Sequence, residues 1–268
     1  MESLGSTLEN VESIYFAGGE PLLHEGHYAV LQDLIDRGRA SVSLSYNTNM
    51  TELRLGKLEV LPLWAQFKDV LVSASIDGHE ELGELVREGL SWDRFVKNIV
   101  TIRQQCPHVR IVFAITVSIL NILSLPSLCQ HLRAIDPDHE AEFYFNVLQE
   151  PRRYSIQILP ADLKEEAKRR LESLAEEFAA RPGQNSAAMR DLIRPVINFM
   201  MFEDRSYKLR QFRARTLHLD EMHGRNSAYA IPELAPLLQE TTFEKYAREA
   251  KQSMGVLINK VRQISTVK

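Results

Sequence analysis

Cysteine is nearly absent from this chain. Cys106 and Cys129 are its only two, twenty-three positions apart. That excludes a disulfide framework and any Cys-x-x-Cys metal or redox motif, and the expectation is a reducing, cytoplasmic setting. No apolar run is long enough to span a bilayer, so no membrane partner is expected. Residues 1–5 lack the basic and apolar regions of a signal peptide. Neither charge sign dominates: the net charge is -4, which makes nucleic acid the least favoured partner. Gly-x-Ser-x-Gly, phosphate-loop and dinucleotide fingerprints do not occur, nor does a Cys/His nucleophile pair, and no catalytic residue is assigned. What remains is an ordinary globular composition, 44% hydrophobic and 25% charged, in a chain long enough to bury a large core.

The chain is organised around Ser13-Ile14-Tyr15-Phe16-Ala17-Gly18-Gly19-Glu20-Pro21. A short apolar strand runs into two glycines, which let backbone approach a ligand closely. Glu20 then offers a carboxylate suited to a ligand ammonium group, and Pro21 biases it toward extended backbone. Strand patterns recur at 41–46, 69–76, 109–117 and 142–148. Helical spacing is read at 24–37, 53–67, 92–104 and 125–134. Five alternations with crossovers of this length predict a parallel sheet in an α/β fold, either open or closed into a barrel. Ligands of such sheets sit at the C-terminal ends of the strands. There the sequence has Gly18-Gly19-Glu20-Pro21, Asn47-Thr48-Asn49, Ser75-Ile76-Asp77-Gly78, Thr116-Val117-Ser118 and Asn146.

From Pro160 the composition becomes helical and charge-rich, with helices expected over 161–180, 189–201, 207–222 and 243–264. A boundary is therefore placed near 159: an α/β part over 1–159 and a helical part over 160–268. Two histidine groups, His24 with His27 and His218 with His223, are read as helix ends rather than metal sites, so no metal ligand is assigned.

Gly18-Gly19-Glu20-Pro21, Ser75-Ile76-Asp77-Gly78 and Arg87, in this order and spacing, resemble the radical S-adenosylmethionine (SAM) enzymes, within the branch related to SPASM and twitch-domain proteins. The resemblance covers about residues 11–150. It implies a partial (β/α)6 TIM-like barrel lacking its first strand, followed by a helical C-terminal extension. It implies SAM bound by Gly18, Gly19, Glu20 and Pro21 around its amino group, by Ser75 at the ribose and by Arg87 at the carboxylate. Asn47, Ser118 and Asn146 would line the cavity. It also implies a 4Fe-4S cluster that cleaves SAM to a 5′-deoxyadenosyl radical, fed by a one-electron reductant and acting on a peptide or small molecule. The family's Cys-x-x-x-Cys-x-x-Cys loop is missing here, which suggests N-terminal truncation, and the chain alone is expected to lack radical chemistry. The alternative is a cluster-free barrel that binds SAM, another nucleoside or a partner.

Overall fold

The computed structural model describes residues 8–135, 139, 141–180 and 186–239. The helix expected over 243–264 lies outside the described residues. Five parallel strands form one sheet: β1 (Ser13–Phe16), β2 (Ser43–Thr48), β5 (Val70–Ser75), β6 (Arg110–Val117) and β7 (Glu142–Val147). They stand side by side in chain order, every neighbouring pair parallel. The order never reverses, so the chain winds in one sense across the sheet.

The two faces of the sheet differ in chemistry because side chains alternate along a strand. One face carries Leu44, Tyr46, Val70, Val72, Ile111, Phe113, Ile115 and Phe143, all buried. The helices α1 (Glu25–Asp36), α4 (Trp92–Gln105) and α5 (Leu125–Ile135) each bury an apolar stripe: Leu31 and Leu34, then Phe95, Ile99 and Ile102, then Leu128 and Leu132. Phe95 meets Phe113, and Phe113 meets Phe143, at ring separations of 6.4 and 5.8 Å. The opposite face is small and polar. Register aligns Asn47 with Ser73, Ser75 with Ala114 and Tyr144, and Thr116 with Asn146 on that side.

Two segments depart from expectation. The helix expected over 53–67 is instead a hairpin of β3 (Arg54–Leu55) and β4 (Leu58–Glu59), followed by the short helix α2 (Leu61–Trp64). Leucines at 53, 55, 58, 61 and 63 imitate helical spacing, but Gly56 takes a φ of 61° and turns the chain back within two residues. Secondly, α3 (Glu80–Val86) lies between β5 and α4, where no helix was read.

After β7, the helices α6 (Ala161–Ala179) and α7 (Ser186–Phe202) pack with each other and with the α/β part. Phe178 lies against Phe143 at 5.9 Å, and the Arg133 guanidinium covers the Phe178 ring at 4.4 Å. The described residues form two compact units that divide between Lys208 and Leu209, so α6 and α7 belong with the sheet. In the second unit, α8 (Leu209–His223) is followed by α9 (Ser227–Ala230) and α10 (Ala235–Leu238). Asp220 joins α8 to α9, its carboxylate accepting from Ser227 N–H (2.9 Å) and Ser227 Oγ (2.7 Å). No helix among the described residues is long and apolar enough to cross a membrane.

Candidate functional site

At the C-terminal ends of the strands lies a cavity of about 410 Å³. Of the nine residues named from sequence, six line it: Gly18, Gly19, Asn47, Ser75, Arg87 and Asn146. They converge because each closes or follows a strand, and the polar face of the sheet supplies the floor between them.

Gly18 and Gly19 have φ of 88° and 60°, the left-handed region that favours glycine. A Cβ built on either would meet nothing within 4 Å. The glycines answer a backbone requirement, and the space beside them is open for a ligand. Glu20 and Pro21 are not part of the lining. Pro21 is buried in a single 3-10 turn, Pro21–Leu23. The Glu20 carboxylate accepts from Thr48 Oγ (2.5 Å), Asn49 N–H (2.8 Å) and, more weakly, Leu22 N–H (3.4 Å). It straps the loop after β1 to the loop after β2. Three of its roughly four acceptor positions are thereby used.

The next two strand ends are also joined, since Ser75 Oγ donates to Asn47 Oδ1 at 2.7 Å. Arg87, at the C-terminal cap of α3, is oriented by two neighbours. Its Nε donates to Asp77 Oδ2 (2.9 Å) and its Nη1 to Asn49 Oδ1 (2.7 Å). Nη2 carries no hydrogen bond among the described residues, and the guanidinium lines the cavity. Such a fork, held on one side and open on the other, suits a carboxylate. Asp77 also accepts from Thr116 N–H at 2.6 Å, so one carboxylate ties β5, α3 and β6 together. Burial pushes the Asp77 carboxyl above its ordinary range, against the opposing effects of Arg87 and the Thr116 amide.

Ser118 lies outside the cavity. Its amide donates to Asn121 Oδ1 (2.8 Å) and its hydroxyl accepts from Leu120 N–H (3.2 Å), a turn after β6. Asn121 is itself 1% exposed and was not singled out from sequence. Its amide donates to the carbonyls of Asp77 and Thr116, at 2.8 and 2.9 Å, fastening that loop to the one after β5. Tyr144, also in the lining, was missed as well, although alternation along β7 puts it on the same face as Asn146.

The implied cluster does not fit the thiols present. Cys106 and Cys129 are 1% and 0% exposed and absent from the cavity lining. Burial raises both thiols, whereas ligation needs convergent thiolates. Cys106 Sγ donates to Leu61 O instead. To the cavity the site offers instead a guanidinium from Arg87, the Ser75–Asn47 hydroxyl and amide pair, and open glycine backbone.

Of the histidines read from sequence, His24 and His27 have structural places. His24 caps α1 by accepting from Gly26 N–H at 3.1 Å. His27 is buried against Phe16 and Tyr46. In the second unit, Asp220 is occupied by capping.

No family profile matches this chain, and no curated protein matches it. A solved structure of native anSMEcpe with bound AdoMet and Cp18Cys peptide is similar over 66% of this chain, at 18% sequence identity and a TM-score of 0.47. The match covers 51% of that solved chain, so this chain spans about half its length.

Proposed function

We propose that the cavity binds S-adenosylmethionine or a closely related nucleoside, and that the chain is the SAM- and substrate-binding part of a radical SAM enzyme. The observation that carries the reading is the gathering of Gly18, Gly19, Asn47, Ser75, Arg87 and Asn146 around one cavity of about 410 Å³. That volume is in the usual range for small-molecule sites. In this reading Arg87 pairs with the methionyl carboxylate through its open edge. Ser75 and Asn47 bond the ribose hydroxyls, and the backbone at Gly18 and Gly19 takes the ammonium group. The one-way strand order favours a partial (β/α) barrel, with the polar sheet face as its interior. The substrate, a peptide or small molecule, enters over Tyr144 and Asn146.

The 4Fe-4S cluster needs thiolates that neither Cys106 nor Cys129 provides. The proposal for this chain alone is therefore SAM binding without reductive cleavage. Those two buried thiols favour the second reading, a cluster-free nucleoside-binding module.

Isothermal titration calorimetry with SAM tests the site. The wild type should bind measurably, with Arg87→Ala weakening affinity about tenfold to a hundredfold, the effect of one charge-assisted hydrogen bond. Circular dichroism establishes that the variant remains folded. No binding, or binding indifferent to Arg87→Ala, overturns the proposal. Anaerobic reconstitution with iron and sulfide should give no stoichiometric cluster, and formation of one would overturn the absence of reductive cleavage proposed for this chain.

A further inference from the structure

Outside the cavity, the loop after β5 meets α5 in a second cluster of polar side chains. His79 is the N-cap of α3, yet its side chain makes no capping bond, unlike that of His24. The first helical residue, Glu80, follows at once, with a φ of 49°. His131 lies fifty-two positions further on, in α5, and its ring stacks on His79 at a centroid distance of 4.2 Å.

Ser127, one turn before His131, fixes both rings from behind. The Ser127 carbonyl can only accept, so His131 Nδ1 donates to it at 2.8 Å, leaving Nε2 as the lone-pair nitrogen of the neutral ring. Ser127 Oγ engages His79 Nε2 at 3.0 Å. The other nitrogen, His79 Nδ1, is buried and has no hydrogen-bond partner. Its nearest carboxylate oxygen, Glu80 Oε2, is 3.8 Å away, too far for a hydrogen bond. Each imidazole thus has one nitrogen anchored by protein and one left over. That is the arrangement in which a metal-binding histidine is held by its outer partner.

We propose that His79 Nδ1, His131 Nε2 and a Glu80 carboxylate oxygen bind one divalent first-row transition ion, with water completing the coordination. One ligand atom from each of these residues lies within 4.8 Å of the others. Two ligands on a tetrahedral zinc, with bonds of about 2.0–2.1 Å, stand roughly 3.3–3.5 Å apart. The 3.8 Å between His79 and Glu80 is close to that already. The in-plane lone pairs of stacked rings do not converge, so ligation by both imidazoles requires the exposed His131 ring to leave its stack on His79. Two imidazoles and a carboxylate suit zinc and its neighbours rather than calcium or magnesium. The ion would tie the start of α3 to α5 and so hold the segment leading to Arg87. None of the three ligands lines the cavity, so this inference does not depend on SAM binding.

Calorimetric titration of the chelator-treated full chain with zinc chloride tests it. One equivalent should bind tightly, and His131→Asn should weaken that binding at least tenfold. Ser127→Ala, which removes no ligand, should also weaken it, by about tenfold or more. His218→Asn with His223→Asn should leave it unchanged. Because His131 is exposed, its variant should stay folded, and zinc should raise the melting temperature of the wild type but not of His131→Asn. Absence of zinc binding, or equal affinity and equal thermal shift in His131→Asn, overturns the proposal.

Discussion

Asp77 joins three segments of the site through one carboxylate, accepting from Arg87 and from Thr116 N–H in a setting that leaves its side chain 8% exposed. Losing one partner of a buried pair costs more than the pair contributes, because the other is left desolvated. Asp77→Asn should therefore cost about 2–3 kcal/mol, read from urea unfolding. The same variant should weaken SAM binding by letting the Arg87 fork rotate. His27 makes a different prediction. Burial, then the neighbouring His24, lowers its pKa from 6.5 to about 4, so the folded chain keeps it neutral while the unfolded chain protonates it. Between those two values the unfolded state binds more protons, and stability is lost as pH falls. The loss should reach about 3 kcal/mol by pH 4. Unfolding midpoints measured across this window should show a flatter slope in His27→Leu.

Elements of this protein differ in how far they depend on their surroundings. β6 has eight residues with alternating burial, and its Phe113 packs between Phe95 and Phe143. Phe113→Ala should cost about 3–5 kcal/mol in a urea titration, as large-to-small changes in a packed core do. By contrast, α3 has a short apolar face, with Leu82 and Gly83 its buried residues. It forms because two glycines allow close packing: a Cβ on Gly83 would overlap the Gly78 carbonyl oxygen, and one on Gly78 would lie 2.7 Å from Leu82 Cγ. Gly83→Ala should destabilise by about 2–3 kcal/mol, seen as a lower melting temperature, despite alanine's better helix propensity. That is also why α3 was not legible: its signal is the absence of a side chain at two positions, and no periodicity reports it. The segment 53–67 shows the converse, where a leucine pattern suggests a helix but the chain turns back at Gly56.

At the scale of the whole molecule, the paucity of cysteine is the property with the largest functional consequence. Both thiols are buried and raised in pKa, so neither should react with a thiol reagent until the chain unfolds. Anaerobic reconstitution should likewise yield less than one cluster per chain, by iron and sulfide analysis. All five sheet strands were readable to within a few residues, because β-branched runs and alternation are local. The strand-end clusters were readable too, since in any parallel α/β fold they fall at one edge. Local pattern thus determined the α/β class and five residues of the cavity, and the family resemblance added Arg87. Tertiary structure decided the rest. Glu20 could be read as a ligand carboxylate, but only the approach of Thr48 and Asn49 turned it into a strap. Asn121 looks like any loop asparagine until two carbonyls from different loops converge on its amide. His79 and His131, far apart in sequence, meet only because β5 and β6 are adjacent strands and their following loop and helix must pack together. A hydrogen bond or a metal site depends on distances of a few ångströms, and separation along the chain does not encode those.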